Sequence, residues 1–193
     1  TAFGRVGRDA LRPLYQRQHT QKPPAGDRHW NIDDMSPSLR WWREFLMSTN
    51  LHRCVPLVPG PPPLLLYTDA EGSGGLGYAL YDTSGRLLRW AQTHVDEYVV
   101  GSLLERVTQI NAFEIVGAVW AARCCAQAFP SRDFVIYIDN TTAEHILRKG
   151  SSPIPDLNAL SGAFWRWVAD VKLGLHFRRV ASKANPADPP SRG

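Results

Sequence analysis

From residue 64 onward, apolar and polar positions fall into short blocks of two kinds. LLLYTDA, residues 64–70, is an apolar run, and Gly72, Gly74 and Gly75 follow it as a turn. The alternation resumes in LGYALYD (76–82) and again in RLLRWAQTHV (86–95), with Asp82-Thr83-Ser84-Gly85 between them. Period-two blocks bounded by glycine-rich turns predict strands joined as hairpins. Residues 110–129, INAFEIVGAVWAARCCAQAF, are long enough and suitably patterned for an amphipathic helix. FVIYID, 134–139, reads as a fully buried strand. TTAEHILRK then predicts a helix that Gly150 ends, and residues 155–171 predict another, with Leu157, Leu160, Phe164 and Val168 facing inward. LHFRRV supplies a fifth strand. Residues 95–108 show no firm period and have room for a short helix.

The predicted order is three strands, a helix, a strand, two helices and a strand. Three antiparallel strands followed by a helical crossover into a strand parallel to the first give an α/β fold. Its five-stranded mixed sheet should carry helices on both faces.

The N-terminal quarter is different. Residues 1–35 are polar and aperiodic, Lys22-Pro23-Pro24-Ala25-Gly26 breaks any helix, and irregular structure is expected there. Ser36-Pro37 opens a helix of about 37–50, with Leu39, Trp42, Phe45 and Leu46 on the face that docks. Five prolines and a glycine in CVPLVPGPPP make residues 54–63 a stiff linker. The expected organisation is a basic arm plus docking helix over 1–53, the linker, and one domain over 64–193. A chain that opens on Thr1 rather than Met is expected to be a fragment or a processed piece.

Charge sharpens that division. The net charge is +4, and residues 1–53 hold nine Lys/Arg against five Asp/Glu, so the whole excess lies there. A basic arm beside a neutral globule suits a polyanion, and equally suits a solvated tail. The three cysteines, Cys54, Cys124 and Cys125, are odd in number and lack metal-site spacing. They suggest an intracellular compartment. No apolar run approaches the roughly 18–20 residues of a membrane helix, so no membrane partner is expected.

The candidate chemistry begins with an acid at the end of the most apolar strand. Asp69 ends the first strand and Asp139 the fourth, which the crossover makes parallel and adjacent, so both carboxylates emerge at one carboxyl edge. Glu114 lies in the first two turns of the crossover helix, and Asp188 follows the fifth strand. Carboxylates brought together repel and titrate as a coupled set. Hard divalent cations relieve that repulsion, and two of them can clamp both oxygens of a phosphodiester displacement. Taken singly, each acid has a plainer role: Asp139 and Asp188 can cap helices, and Glu114 can pair with an arginine.

YTDAEGSGGLGYAL, INAFEIVGAVWA, YIDNTTAEHIL and KANPADPPSR resemble, in this order, the ribonuclease H domain of retroelement reverse transcriptases. The likeness is greatest to elements of the DIRS type and covers about residues 64–193. SPSLRWWREFL also resembles the segment that precedes that domain. The resemblance implies a five-stranded ribonuclease H-like fold and two Mg²⁺ ions, with Mn²⁺ as a substitute. It also implies hydrolysis of the RNA strand of an RNA–DNA hybrid and an adjoining polymerase domain as partner.

Asp69, Glu114, Asp139 and Asp188 match the four metal-binding acids. Asp69 would bridge the ions, Glu114 and Asp139 would serve the ion that activates water, and Asp188 would complete the other. Asn140, Lys183, Asn185, Arg40 and Arg43 are the expected nucleic-acid contacts, and a ribose 2′-hydroxyl contact near Glu114 would select RNA. Three features depart from the pattern. Ser182 and Lys183 stand where cellular relatives carry a histidine, which bears on turnover more than on metal binding. Pro189-Pro190 limit the last helix to a short turn, and Glu71 replaces a small hydroxyl residue and is expected to be solvated.

Two other readings remain open at the level of sequence. Asp69-Ala70-Glu71 mimics the opening of 3′–5′ exonucleases, although their closing Tyr-x-x-x-Asp is missing. A catalytically silent binding or scaffolding module would also keep this fold. His94, His145 and His176 are expected to have no catalytic part.

Overall fold

Burial along the apolar run of β1 (Leu64–Ala70) alternates at first: Leu64, Leu66 and Thr68 are buried, Leu65 and Tyr67 only half-buried. The computed structural model describes residues 5–19, 33, 35–48 and 60–193. β1 pairs antiparallel with β2 (Gly75–Tyr81), which pairs antiparallel with β3 (Leu87–His94). It pairs in parallel with β4 (Phe134–Ile138), which pairs in parallel with β5 (Leu175–Arg179). The sheet order is therefore β3-β2-β1-β4-β5, the mixed arrangement expected from the order of elements.

The helices in chain order are α1 (Arg8–His19), α2 (Ser36–Ser48), α3 (Glu97–Gly101), α4 (Ile110–Ala128), α5 (Thr141–Lys149), α6 (Pro155–Asp170) and α7 (Asp188–Arg192). α3 is the short helix that residues 95–108 had room for. On one face of the sheet, Leu64, Leu66, Tyr78, Leu80, Ile136, Ile138 and Phe177 meet the buried residues of α4, α5 and α6. α4 contributes a small-residue side, with Ala118, Ala121, Ala122 and Cys125 fully buried. That lets its axis lie close to the sheet, since packing density has to be kept without large side chains. The Cys125 thiol is pushed up to about 12 by this burial and by Cys124 beside it. Gly150, in the left-handed conformation at φ 79°, ends α5 as expected. Trp165 Nε1 donates to Leu147 O at 2.8 Å and ties α6 to α5.

The other face carries the one-turn α7. It lies against β2 at Gly75 and Gly77, where an added Cβ would collide with the backbone of Ser191. Beyond α7, the half-buried Tyr67 and Tyr137 stack on that face with ring centroids 4.6 Å apart.

Two expectations for the N-terminal quarter are corrected. Residues 8–19 are helical rather than irregular. Pro13 cannot donate to the carbonyl four residues back, which is that of Asp9. That carbonyl instead accepts from Asn158 Nδ2 of α6 at 3.3 Å, so tertiary contact meets the need the proline creates. Asp9 Oδ2 also pairs with Arg166 Nη1 of α6 at 2.7 Å. Arg5 Nε donates to Arg148 O, and Arg8 Nη1 to Lys149 O at 3.0 Å. These carbonyls belong to the last turn of α5, where intrahelical donors run out. Two cations of the basic segment are thus bonded to the domain.

The buried face of α2 is also shifted. Leu39 and Leu46 are 46% and 48% exposed, while Ser38 is buried and Trp41, Trp42 and Phe45 are half-buried. Trp41 faces Arg166 of α6 at 5.9 Å, and this contact selects the neighbouring face. The Lys22–Gly26 breaker, Cys54 and residues 54–59 of the linker lie outside the described residues. No described helix is long and apolar enough to cross a membrane.

Candidate metal centre

The register of two parallel strands sets the first part of the site. Thr68 of β1 pairs with Ile138 of β4. Asp69 and Asp139 are the next residues on each chain, so they stand side by side at the carboxyl edge. Glu114 comes from the second turn of α4. One turn further on, a Cβ on Gly117 would lie 3.6 Å from the Asp69 carbonyl oxygen, which shows how closely α4 crosses β1. Carboxylate oxygens of Asp69, Glu114 and Asp139 all lie within 4.8 Å of one another.

No described residue forms an ion pair with the cluster, and Arg192, paired with Asp188, acts on Asp69 only through space. Asp69 is 6% and Glu114 3% exposed, and Asp139 is half-buried. Among the described residues, every ion pair lies elsewhere: Arg86–Asp82, Arg106–Asp156, Arg148–Glu144, Arg166–Asp9 and Arg192–Asp188. Glu114 Oε2 is buried without a hydrogen-bond partner. Burial, and then the charges of Asp69 and Asp139, push the Glu114 carboxyl up to about 9. Burial also raises Asp69, against the hydrogen bond from Ser191, with Asp139 and Asp188 adding to the rise. An isolated buried carboxylate is costly, so the acids either hold protons or hold a cation.

Asp69 is gripped from the C-terminal segment. Ser191 Oγ donates to its Oδ2 at 2.5 Å, and Asn185 Nδ2 to its Oδ1 at 3.3 Å. Asn185 Nδ2 also reaches Thr68 O at 3.0 Å, and its Oδ1 accepts from Ala187 N at 3.2 Å.

The structure brings together three of the four expected acids. Asp188 is outside the group: its Oδ1 accepts from Arg192 Nη2 at 2.7 Å, one turn along α7. It opens α7, with Ala187 rather than Asp188 as the cap. Asn185, expected as a nucleic-acid contact, is 4% exposed with its amide engaged inward. Asn140 caps α5, its Oδ1 accepting from Ala143 N at 3.0 Å, and its Nδ2 donates to Asn111 Oδ1. Lys183, Arg40 and Arg43 are exposed, as are Glu71, His94, His145 and His176.

Three polar groups of the surrounding segments had no role in the sequence. Asn111 and Ser191 stand inside the quoted motifs, but their partners lie 29 and 122 residues away. Arg106 clips the segment before α4 to Asp156 of α6 at 2.6 Å. Only the assembled fold shows these pairings.

No family model and no curated protein matches the chain. Solved structures do. The N-terminal RNase H domain of a Mycobacterium tuberculosis protein, solved as a fusion with maltose binding protein, is 15% identical. The match covers 68% of this chain and 92% of that one, with a TM-score of 0.53. RNase H1 from the archaeon Halobacterium salinarum is 18% identical over 68% of this chain and 94% of its own, with a TM-score of 0.51. The chain has the ribonuclease H-like fold, with three acids, two of them buried, gathered at its carboxyl edge.

Proposed function

We propose that the chain is a metal-dependent endonuclease that hydrolyses the RNA strand of RNA–DNA hybrids, as the ribonuclease H part of a DIRS-like retroelement reverse transcriptase. The observation that carries this is the meeting of Asp69, Glu114 and Asp139 at the end of two parallel strands, two of them buried and none ion-paired among the described residues. The donor set suits a hard divalent ion: carboxylate oxygens, one of them orphaned. Asp69, Glu114 and Asp139 would hold Mg²⁺, and Asp188 would join them on release from Arg192. Bound there, two such ions supply an activated water and neutralise charge on the scissile phosphate.

The chain's own residues do the rest. Ser191 and Asn185 fix the Asp69 carboxylate before any ligand arrives, so little reorganisation is left for the reaction. α4 brings Glu114 in from outside the sheet and shields the cluster from water. Exposed Lys183, Arg40 and Arg43 are available to phosphates.

A second reading has one observation in its favour. Asp188 is bonded to Arg192, and Ser182 and Lys183 occupy the loop before it. A module that binds hybrids without turnover would tolerate both. A divalent-dependent cleavage assay on hybrid, double-stranded RNA and DNA duplex separates the two. The nuclease cuts the hybrid alone, and Asp139→Asn lowers the rate at least about a hundredfold with the fold intact. Hybrid binding without cleavage in Mg²⁺ or Mn²⁺ supports the silent module.

A further inference from the structure

Two asparagines beside the acids bond to each other, and the geometry of one dictates that of the other. Asn140 follows Asp139 directly and caps α5, its Oδ1 accepting from Ala143 N at 3.0 Å. An N–H must be met by an oxygen, so the amide orientation is fixed. Asn140 Nδ2 is thereby turned away from α5, and it donates to Asn111 Oδ1 at 3.0 Å. Asn111 is the second residue of α4, nearly one turn before Glu114. Among the described residues, no backbone hydrogen bond joins the start of α4 to residues 138–142. Both segments carry acids of the cluster, and a side-chain amide pair ties them together.

We propose that Asn140 and Asn111 form a positioning latch that sets Glu114 against Asp139 and so pre-forms the divalent-cation site; Asn140 acts through Asn111 rather than by touching nucleic acid. This rests on the reading of the three acids as a metal centre. Without the latch, no described backbone hydrogen bond keeps the start of α4 from moving away from the end of β4. The cation must then draw the two together, and affinity falls. Groups that orient metal ligands in this indirect way typically change affinity by about 10–100-fold.

The test uses the full chain and Mn²⁺ as the probe, titrated by calorimetry. Asn140→Ser keeps a capping oxygen for Ala143 and removes the donor to Asn111. Asn111→Leu removes the acceptor and leaves the α5 cap untouched. Each should weaken Mn²⁺ binding about tenfold. The double variant should be no weaker than either single one, because both break one interaction. The melting temperature of the metal-free protein should stay the same. If Asn140→Ser lowers that temperature through its cap, Asn111→Leu carries the test alone. Wild-type affinity in Asn111→Leu, or additive losses in the double variant, overturns the latch. A wild-type chain that takes up no Mn²⁺ overturns the metal reading and the latch with it, whereas latch failure alone leaves wild-type binding intact.

Discussion

Glu114 is the residue on which the electrostatics turn. Its carboxyl is pushed from the ordinary 4.5 to about 9 by burial and by its two acidic neighbours. In the metal-free protein at neutral pH it therefore carries a proton that the unfolded chain has lost. Between about pH 4.5 and pH 9 the native state binds more protons than the unfolded state, so stability falls as pH rises. The slope approaches about 1.4 kcal/mol per pH unit for one fully linked proton. Denaturant unfolding in a chelator, repeated across this range, should show the decline, and Glu114→Gln should flatten it. A flat wild-type profile would show that Glu114 is not isolated from solvent and cation in the way described. The acids were legible in the sequence because strand ends and a helix start placed them. The protonation of Glu114 was not, because it depends on the distance between three segments.

At the scale of elements, the pattern of hydrophobic positions located all five strands and the long helices to within a residue or two. It succeeded where one face is buried and the period is clean, as in α5 and α6. It failed at α1, where Pro13 and a polar composition argue against a helix and only α6 supplies what the segment lacks. It also misplaced the buried face of α2, because Leu39 and Leu46 look like core residues until Trp41 is seen against Arg166. The Arg166–Asp9 pair should therefore hold the N-terminal helices to the domain. Arg166→Ala leaves the Asp9 carboxylate, 11% exposed, without its partner. Loss of such a charge-assisted bond should cost about 1.5–3 kcal/mol in denaturant unfolding. No loss of stability would mean that α1 is not coupled to the domain. Removing residues 1–35 to test a basic arm would, by the same logic, also strip away part of the packing on α5 and α6.

For the whole molecule, the sheet topology, the close crossing of α4 and the turn of α7 on Gly75 and Gly77 have one joint effect. They bring acids from distant parts of the chain to a single edge. Three of the four acids arrive together, and Asp188 is held by Arg192. A ribonuclease H-like fold shared at 15–18% identity does not by itself establish chemistry, so the claim stands on the carboxylates. Its most direct test is calorimetric titration of the full chain with Mn²⁺ at pH 7, in buffers of different ionisation enthalpy. The account predicts saturable binding with release of close to one proton, because Glu114 must ionise to become a ligand. Proton release should vanish in Glu114→Gln. Absence of binding at millimolar Mn²⁺, or binding that releases no proton and is unchanged in Glu114→Gln, would contradict it.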